Sequence, residues 1–151
     1  MVNWITVKGV VKKGYGVASG QAANPRFPRG TIEMQQPFFQ EQGLNLDAYF
    51  LGTINFSISP YNYKIKNPKY TFKDVKWSPD DPAEDFSFFD CRVLLRSNEV
   101  VSGLIYYPHP ETKPEHFQSP DILEIMAPYI SDLKYGDELI IEIDSQQMMI
   151  S

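Results

Sequence analysis

The chain has 151 residues, a length that one folding unit can fill and that can bury a sizeable core. Apolar residues make up 42% and charged residues 22%, which sets it among globular rather than disordered chains. A net charge of −5 excludes a nucleic-acid binder that works by neutralising phosphates along a duplex, yet leaves room for one small phosphate ligand at a local positive site. The single cysteine, Cys91, excludes an internal disulfide and fits a reducing compartment. Met1 to Val7 lacks the basic and apolar regions of a signal peptide, and no run approaches a membrane-spanning length. The expectation is a soluble cytoplasmic protein with no membrane and no nucleic-acid partner.

Ten phenylalanines and nine tyrosines favour strands, and twelve prolines argue against long helices. Asn3 to Lys12 reads as a first strand, with Ile5, Val7 and Val11 on one face and Gly9 marking a bulge or a close backbone approach. Gly14-Tyr15-Gly16-Val17-Ala18-Ser19-Gly20 follows as a loop whose N–H groups can face an anion. It is neither a Walker loop nor a dinucleotide fingerprint, because no Lys-Ser/Thr follows Gly20 and Ser19 stands where a third glycine belongs. A plain turn fits the same residues. Arg26 and Arg29 lie in an extended, proline-flanked stretch and are either phosphate partners or ordinary surface charges. Thr31 to Gln42 is the helical candidate, with Gly43 to stop it and Pro37 expected to split it or restart it one turn later.

Gly52-Thr53-Ile54-Asn55-Phe56 is a strand with two sides. Ile54 and Phe56 can enter a core, while Thr53 and Asn55 present a hydroxyl and an amide oxygen side by side. Two neutral oxygens beside a glycine suit a hydrated Mg²⁺ that also touches phosphates, and they equally suit the wet face of an antiparallel strand. A polar, aromatic stretch then leads to a short strand from Tyr70 to Trp77. The acidic run Ser78 to Asp85 reads as solvated surface. Phe86 to Arg96 and Val100 to Tyr107 read as a hairpin turned by Ser97-Asn98-Glu99. Pro108 to Phe117 holds both histidines, and His109, Glu111 and His116 are a possible transition-metal set or residues of a surface loop. Between Pro120 and Pro128, Glu124 interrupts an apolar run of strand character. It can act as a base or accept a substrate hydroxyl, or it can be an edge-strand charge that discourages aggregation. Tyr135-Gly136-Asp137 reads as a turn before a last strand, Glu138 to Asp144, and the tail from Ser145 is expected to fray. Six or seven short strands with one short helix predict a mainly β fold, a small closed barrel in a single domain.

Taken in order, a strand, a glycine loop, a short aromatic helix, Gly-Thr-Ile-Asn-Phe, Asp-Ile-Leu-Glu-Ile-Met-Ala-Pro and Tyr-Gly-Asp resemble the archaeal-type CTP-dependent riboflavin kinase family, over roughly residues 7–143. The resemblance implies a closed six-stranded cradle-loop β-barrel that transfers phosphate from a nucleoside triphosphate to riboflavin, giving FMN, with Mg²⁺. It implies metal binding by Thr53 and Asn55, and nucleotide binding by Gly14, Tyr15, Gly16, Val17, Ala18 and Ser19 and by Tyr129, Ile130, Ser131 and Asp132. It implies flavin contact and catalysis by Glu124, and flavin-side contact near His116. This chain departs from the family's pattern at Ala18, where a third glycine is usual, and at Tyr129-Ile130-Ser131, where Leu-Arg follows Ala-Pro. The alternatives are a flavin- or nucleotide-binding barrel without chemistry and a metal-dependent enzyme of another class.

Overall fold

The computed structural model describes residues 2–12, 31–112, 119–131 and 133–151. Nine strands and one helix follow in the order β1 (Trp4–Lys12), α1 (Thr31–Glu41), β2 (Ile54–Ser57), β3 (Tyr63–Ile65), β4 (Tyr70–Val75), β5 (Glu84–Leu94), β6 (Val100–Pro108), β7 (Ile122–Met126), β8 (Glu138–Asp144) and β9 (Met148–Ile150). The fold is mainly β with one short helix, as the strand count predicts. Six strands are hydrogen-bonded in the ring order β5-β6-β7-β2-β1-β8, and β8 pairs again with β5. Every pairing is antiparallel. Strand β5 is long enough to divide one of its edges. Cys91 to Leu94 pair with β8, whereas Glu84 to Phe88 pair with β4.

Period-two alternation explains the inside of the ring. Val7 and Val11 of β1, Leu139, Ile141 and Ile143 of β8, Leu123 and Ile125 of β7, and Phe89, Cys91 and Val93 of β5 point inward and form one buried cluster with Phe56 and Ile105. Strands β5 and β6 are apolar on their other face too, through Phe86, Phe88, Leu104 and Tyr106. A sheet that is apolar on both faces needs cover on both. Helix α1 supplies it. Ile32 and Phe39 are fully buried, and the Phe39 ring lies 5.1 Å from Phe86, 5.2 Å from Phe88 and 5.6 Å from Phe72.

Several local expectations are corrected. Pro37 does not split the helix, which runs unbroken from Thr31 to Glu41. Proline removes one donor to the preceding turn, and the burial of Ile32 and Phe39 on either side of it offsets that loss. Gly43 stops the helix as expected, at a φ of 104°. Its N–H donates to the Gln40 carbonyl and that of Leu44 to the Phe39 carbonyl, a Schellman ending. The run from Ser78 to Asp85 is not wholly solvated. The Trp77 indole donates to Glu84 Oε2 at 2.8 Å, the Ser78 hydroxyl donates to Asp81 Oδ2 at 2.9 Å, and Ser78, Asp81 and Glu84 are buried. Their paired oxygens make that burial tolerable. The tail does not fray either. Met148 is fully buried against the inner cluster, and β9 pairs with β3, a strand inside the polar, aromatic stretch before Tyr70. Gln147 anchors the tail by donating to Asp90 Oδ2 at 2.9 Å and Asp144 Oδ2 at 3.2 Å.

Strand β4 carries an irregularity between Phe72 and Val75. Asp74 there has a φ of 56°, and its N–H donates to Asp85 Oδ1 at 2.9 Å. Asn98 turns the β5–β6 hairpin at a φ of 69°.

Two measurements check this packing. A Cβ added at Gly103 would lie 2.7 Å from the carbonyl oxygen of Met126, a backbone atom of the neighbouring strand that cannot swing aside. Gly103→Ala should therefore lower the unfolding free energy by about 2 kcal/mol in urea titration. Burial pushes the Cys91 thiol well up from its ordinary range, with the nearby Asp90 charge adding to it. Native protein at pH 8 should leave Cys91 unmodified by a thiol reagent and react fully once unfolded in urea.

Candidate functional site

The two polar stretches singled out in the sequence lie on neighbouring strands. Strands β2 and β7 pair so that Asn55 stands directly across from Glu124. Phe56 and Ile125 point into the ring, so Asn55 and Glu124 point outward together. The Thr53 hydroxyl donates to Glu124 Oε1 at a long 3.4 Å. Three side-chain oxygens from positions about seventy residues apart thus meet on one face. The same row continues on both sides. Lys12 of β1 stands across from Asn55. Leu104 and Ile105 of β6 pair with Met126 and Ile125, and extending that register by one residue sets Tyr106 beside Glu124. Tyr106 in turn stands across from Phe88.

Glu124 therefore sits on a border. On its β6 side lie Tyr106 and the aromatic floor beneath α1, and on its β2 side lie Asn55 and the exposed Lys12. The Tyr106 hydroxyl donates to Gln35 Oε1 of α1 at 2.7 Å, and both residues are buried. Burial first, and then the Glu124 charge, holds the Tyr106 phenol well above its ordinary range. Burial does the same for Tyr63, with Tyr107 and Glu124 adding to it. Glu124 is thus half-buried at the edge of a dry region, with the polar Thr53 and Asn55 beside it on the open side.

The segments flanking these strands also meet. The Phe50 N–H donates to the Ala127 carbonyl at 2.9 Å, and the rings of Phe50 and Tyr129 lie 5.8 Å apart. Tyr129 is 74% exposed and Phe50 48%, so this aromatic pair offers open ring surface just beyond the oxygen cluster. Ile130 is half-buried and Ser131 exposed on the same segment. The Tyr135–Asp137 turn docks on the end of β1, where Gly136 N–H donates to the Val11 carbonyl and Val11 N–H to the Asp137 carbonyl.

Thr53, Asn55 and Glu124 are thus brought together, whereas Tyr129 meets Phe50 on the segment that follows β7 with Ile130 and Ser131. Gly14, Tyr15, Gly16, Val17, Ala18, Ser19, Arg26, Arg29, His116 and Asp132 lie outside the described residues. Among the described residues no three His, Cys, Asp or Glu side chains gather to hold a metal ion. The transition-metal reading of His109 meets a specific obstacle. Its Nε2 lies 2.7 Å from Ser87 Oγ and its Nδ1 3.2 Å from Glu111 Oε1, so both ring nitrogens already face protein groups. A hard cation fits the other cluster better, because a hydroxyl, an amide oxygen and a carboxylate are the donors that Mg²⁺ takes. Thr112 holds its own loop, accepting from the Asp85 N–H and donating to the His109 carbonyl.

Sequence reasoning missed Tyr106 and Gln35. Tyr106 gives no local signal, since its place beside Glu124 depends on strand order. Gln35 does give one, because it shares the helix face of Ile32 and Phe39, and a lone polar residue on an apolar stripe needs a buried partner. No protein-family model, no curated protein and no solved structure matches the chain.

Asn55→Asp sets a second carboxylate directly across from Glu124. In EDTA the variant should lose about 1 kcal/mol of stability through like-charge repulsion between facing strand residues. Added Mg²⁺ should restore its thermal midpoint, and Ca²⁺ in place of Mg²⁺ reports how tightly the cluster is shaped.

Proposed function

We propose that this chain is a Mg²⁺- and nucleotide-dependent phosphotransferase acting on riboflavin, built on a closed six-stranded barrel of the cradle-loop kind. One observation carries the reading: Asn55 stands across from Glu124, with the Thr53 hydroxyl on the same carboxylate. The Gly-Thr-Ile-Asn and Leu-Glu-Ile-Met stretches are the parts of the chain that most resemble the riboflavin kinases, and their meeting is what a shared site requires.

In this reading Thr53 Oγ1 and the Asn55 amide oxygen would hold Mg²⁺, which when bound would offset charge on the phosphate oxygens. Glu124 would accept the proton of riboflavin's primary hydroxyl and orient that oxygen for attack. Tyr106 and Met126, on the Glu124 side of β6 and β7, belong to the buried cluster beneath α1 and give the carboxylate an apolar neighbour there. Thr53 restrains the carboxylate, so that little reorganisation is needed as the acceptor arrives. The exposed Phe50–Tyr129 pair would lie against a planar ring of a ligand. A second reading, binding of a flavin or nucleotide without transfer, is favoured by that same pair, because ring stacking needs no chemistry.

The test is riboflavin turnover with each of the four nucleoside triphosphates, with Mg²⁺ and with EDTA, FMN being separated chromatographically. The expected result is Mg²⁺-dependent FMN formation, with kcat lowered about 100-fold in Thr53→Ala, the scale of removing one group that stabilises developing charge. Binding by calorimetry without turnover selects the second reading. Neither turnover nor any Mg²⁺-dependent ligand affinity overturns both.

A further inference from the structure

A chain of side-chain hydrogen bonds runs across strands β4 and β5 to the residues that follow β6, apart from the oxygen cluster around Glu124. Thr71 Oγ1 lies 3.0 Å from Ser87 Oγ, Ser87 Oγ lies 2.7 Å from His109 Nε2, and His109 Nδ1 lies 3.2 Å from Glu111 Oε1. Thr71 and Ser87 stand across from each other on β4 and β5, and Ser87 stands across from Tyr107 of β6.

The partners fix the direction of every bond when the imidazole is neutral. An ionised Glu111 only accepts, so His109 Nδ1 carries the proton and donates. Nε2 is then an acceptor, so the Ser87 hydroxyl donates to it. Having spent its one proton, Ser87 accepts from Thr71. The chain thus runs one way, from Thr71 through Ser87 and His109 to Glu111. A hydroxyl hydrogen-bonded toward a base that is itself oriented by a carboxylate is the arrangement of an activated nucleophile. Ser87 is fully buried and cannot meet a reagent. Thr71 is exposed, on a strand whose described pairing is with β5 alone. The imidazole packs against the Tyr107 ring at 5.0 Å, and the backbone N–H of His109 donates to the Asp85 carbonyl at 2.9 Å. Glu111 is largely exposed, so its charge is accessible to solvent.

We propose that Thr71 is a relay-activated nucleophile toward small activated carboxylic esters, with Ser87 as the bridging hydroxyl, His109 as the base and Glu111 as the group that orients it. Thr71 Oγ1 forms a bond to the ester carbonyl carbon while its proton passes to Ser87 Oγ and the Ser87 proton passes to His109 Nε2. The bond from that carbon to the leaving oxygen breaks, and the leaving group departs as an alkoxide or phenoxide that takes a proton from solvent, while His109 keeps the proton passed to it. The hydroxyl of a water then adds to the acyl carbon as that water's other proton goes to solvent, the bond to Thr71 Oγ1 breaks, and the proton on His109 returns through Ser87 to Thr71. The sum is ester plus water giving acid plus alcohol, with no oxidation or reduction.

The test uses the whole chain with p-nitrophenyl acetate, reading nitrophenolate release and mapping acetyl groups by peptide mass spectrometry. Acetylation is expected on Thr71. Its rate should fall about 100-fold in His109→Gln, the scale of losing a general base. It should fall by a smaller factor in Glu111→Gln and disappear in Thr71→Val. Both Glu111 and Thr71 are surface positions, so these variants remain informative should the buried Ser87→Ala fail to fold. Thr6→Ala, an exposed threonine on β1, should react as wild type does. The proposal is overturned by acetyl groups found only on lysines or the amino terminus, or by Thr71 acetylation at the wild-type rate in both His109→Gln and Glu111→Gln.

Discussion

The short pairing of β8 with β5, from Cys91–Ile143 to Leu94–Ile140, is the contact on which the rest of the sheet depends. Without it the strands would form an open sheet, with Val7, Ile141, Ile143 and Val93 left without the opposite wall that covers them. The pairing occupies only the second half of one β5 edge, which frees the first half for β4. The branching of β5 produces two buried regions rather than one. The inner region is lined by residues that alternate inward. The outer region lies between β4, β5, β6 and helix α1. Because β5 and β6 belong to both, a change at Phe88 or Phe89 acts on one region directly and on the other through a shared backbone.

Much of this was legible in the sequence where the signal was local. The alternation in β1 and β8, the Ser97–Glu99 hairpin and the stop at Gly43 all rest on a few adjacent residues and agree with the structure. What failed locally failed because distant partners decide. Nothing near Ser78 tells that Glu84 will receive a buried indole. Nothing in the last seven residues tells that β3 waits to pair with them. Pro37 is a strong local signal that tertiary burial overrode. For the candidate site, alternation told which way Asn55 and Glu124 face within their own strands. That they face each other follows only from the order β7-β2-β1, which no local pattern encodes.

The oxygen cluster gains its character from where helix α1 ends its cover. Met126 and Tyr106 lie under it, while Asn55 and Lys12 lie beyond it. A carboxylate wholly beneath the helix would be costly to ionise, and one wholly beyond it would be screened by water. At the boundary the Glu124 carboxylate adds to burial, the larger cause, in raising the phenol of Tyr106. The Gln35–Tyr106 bond ties the helix to the strand next to Glu124, so the helix and the carboxylate share a fixed geometry.

The left-handed residue at Asp74 has a consequence for how copies of this chain meet one another. Among the described residues β4 pairs only with β5, so its other edge is the place where a strand from another molecule would dock. A continuous edge offers a row of evenly spaced donors and acceptors, and a few such bonds suffice to seed association. At Asp74 that row is broken. The backbone turns out of register, and the Asp74 N–H turns to the Asp85 carboxylate of β5 in place of a regular ladder bond. Lys73 and Asp74 add exposed charge of both signs to the same stretch. The irregularity thus interrupts the free edge of β4, the one strand of the large sheet that the ring order leaves outside.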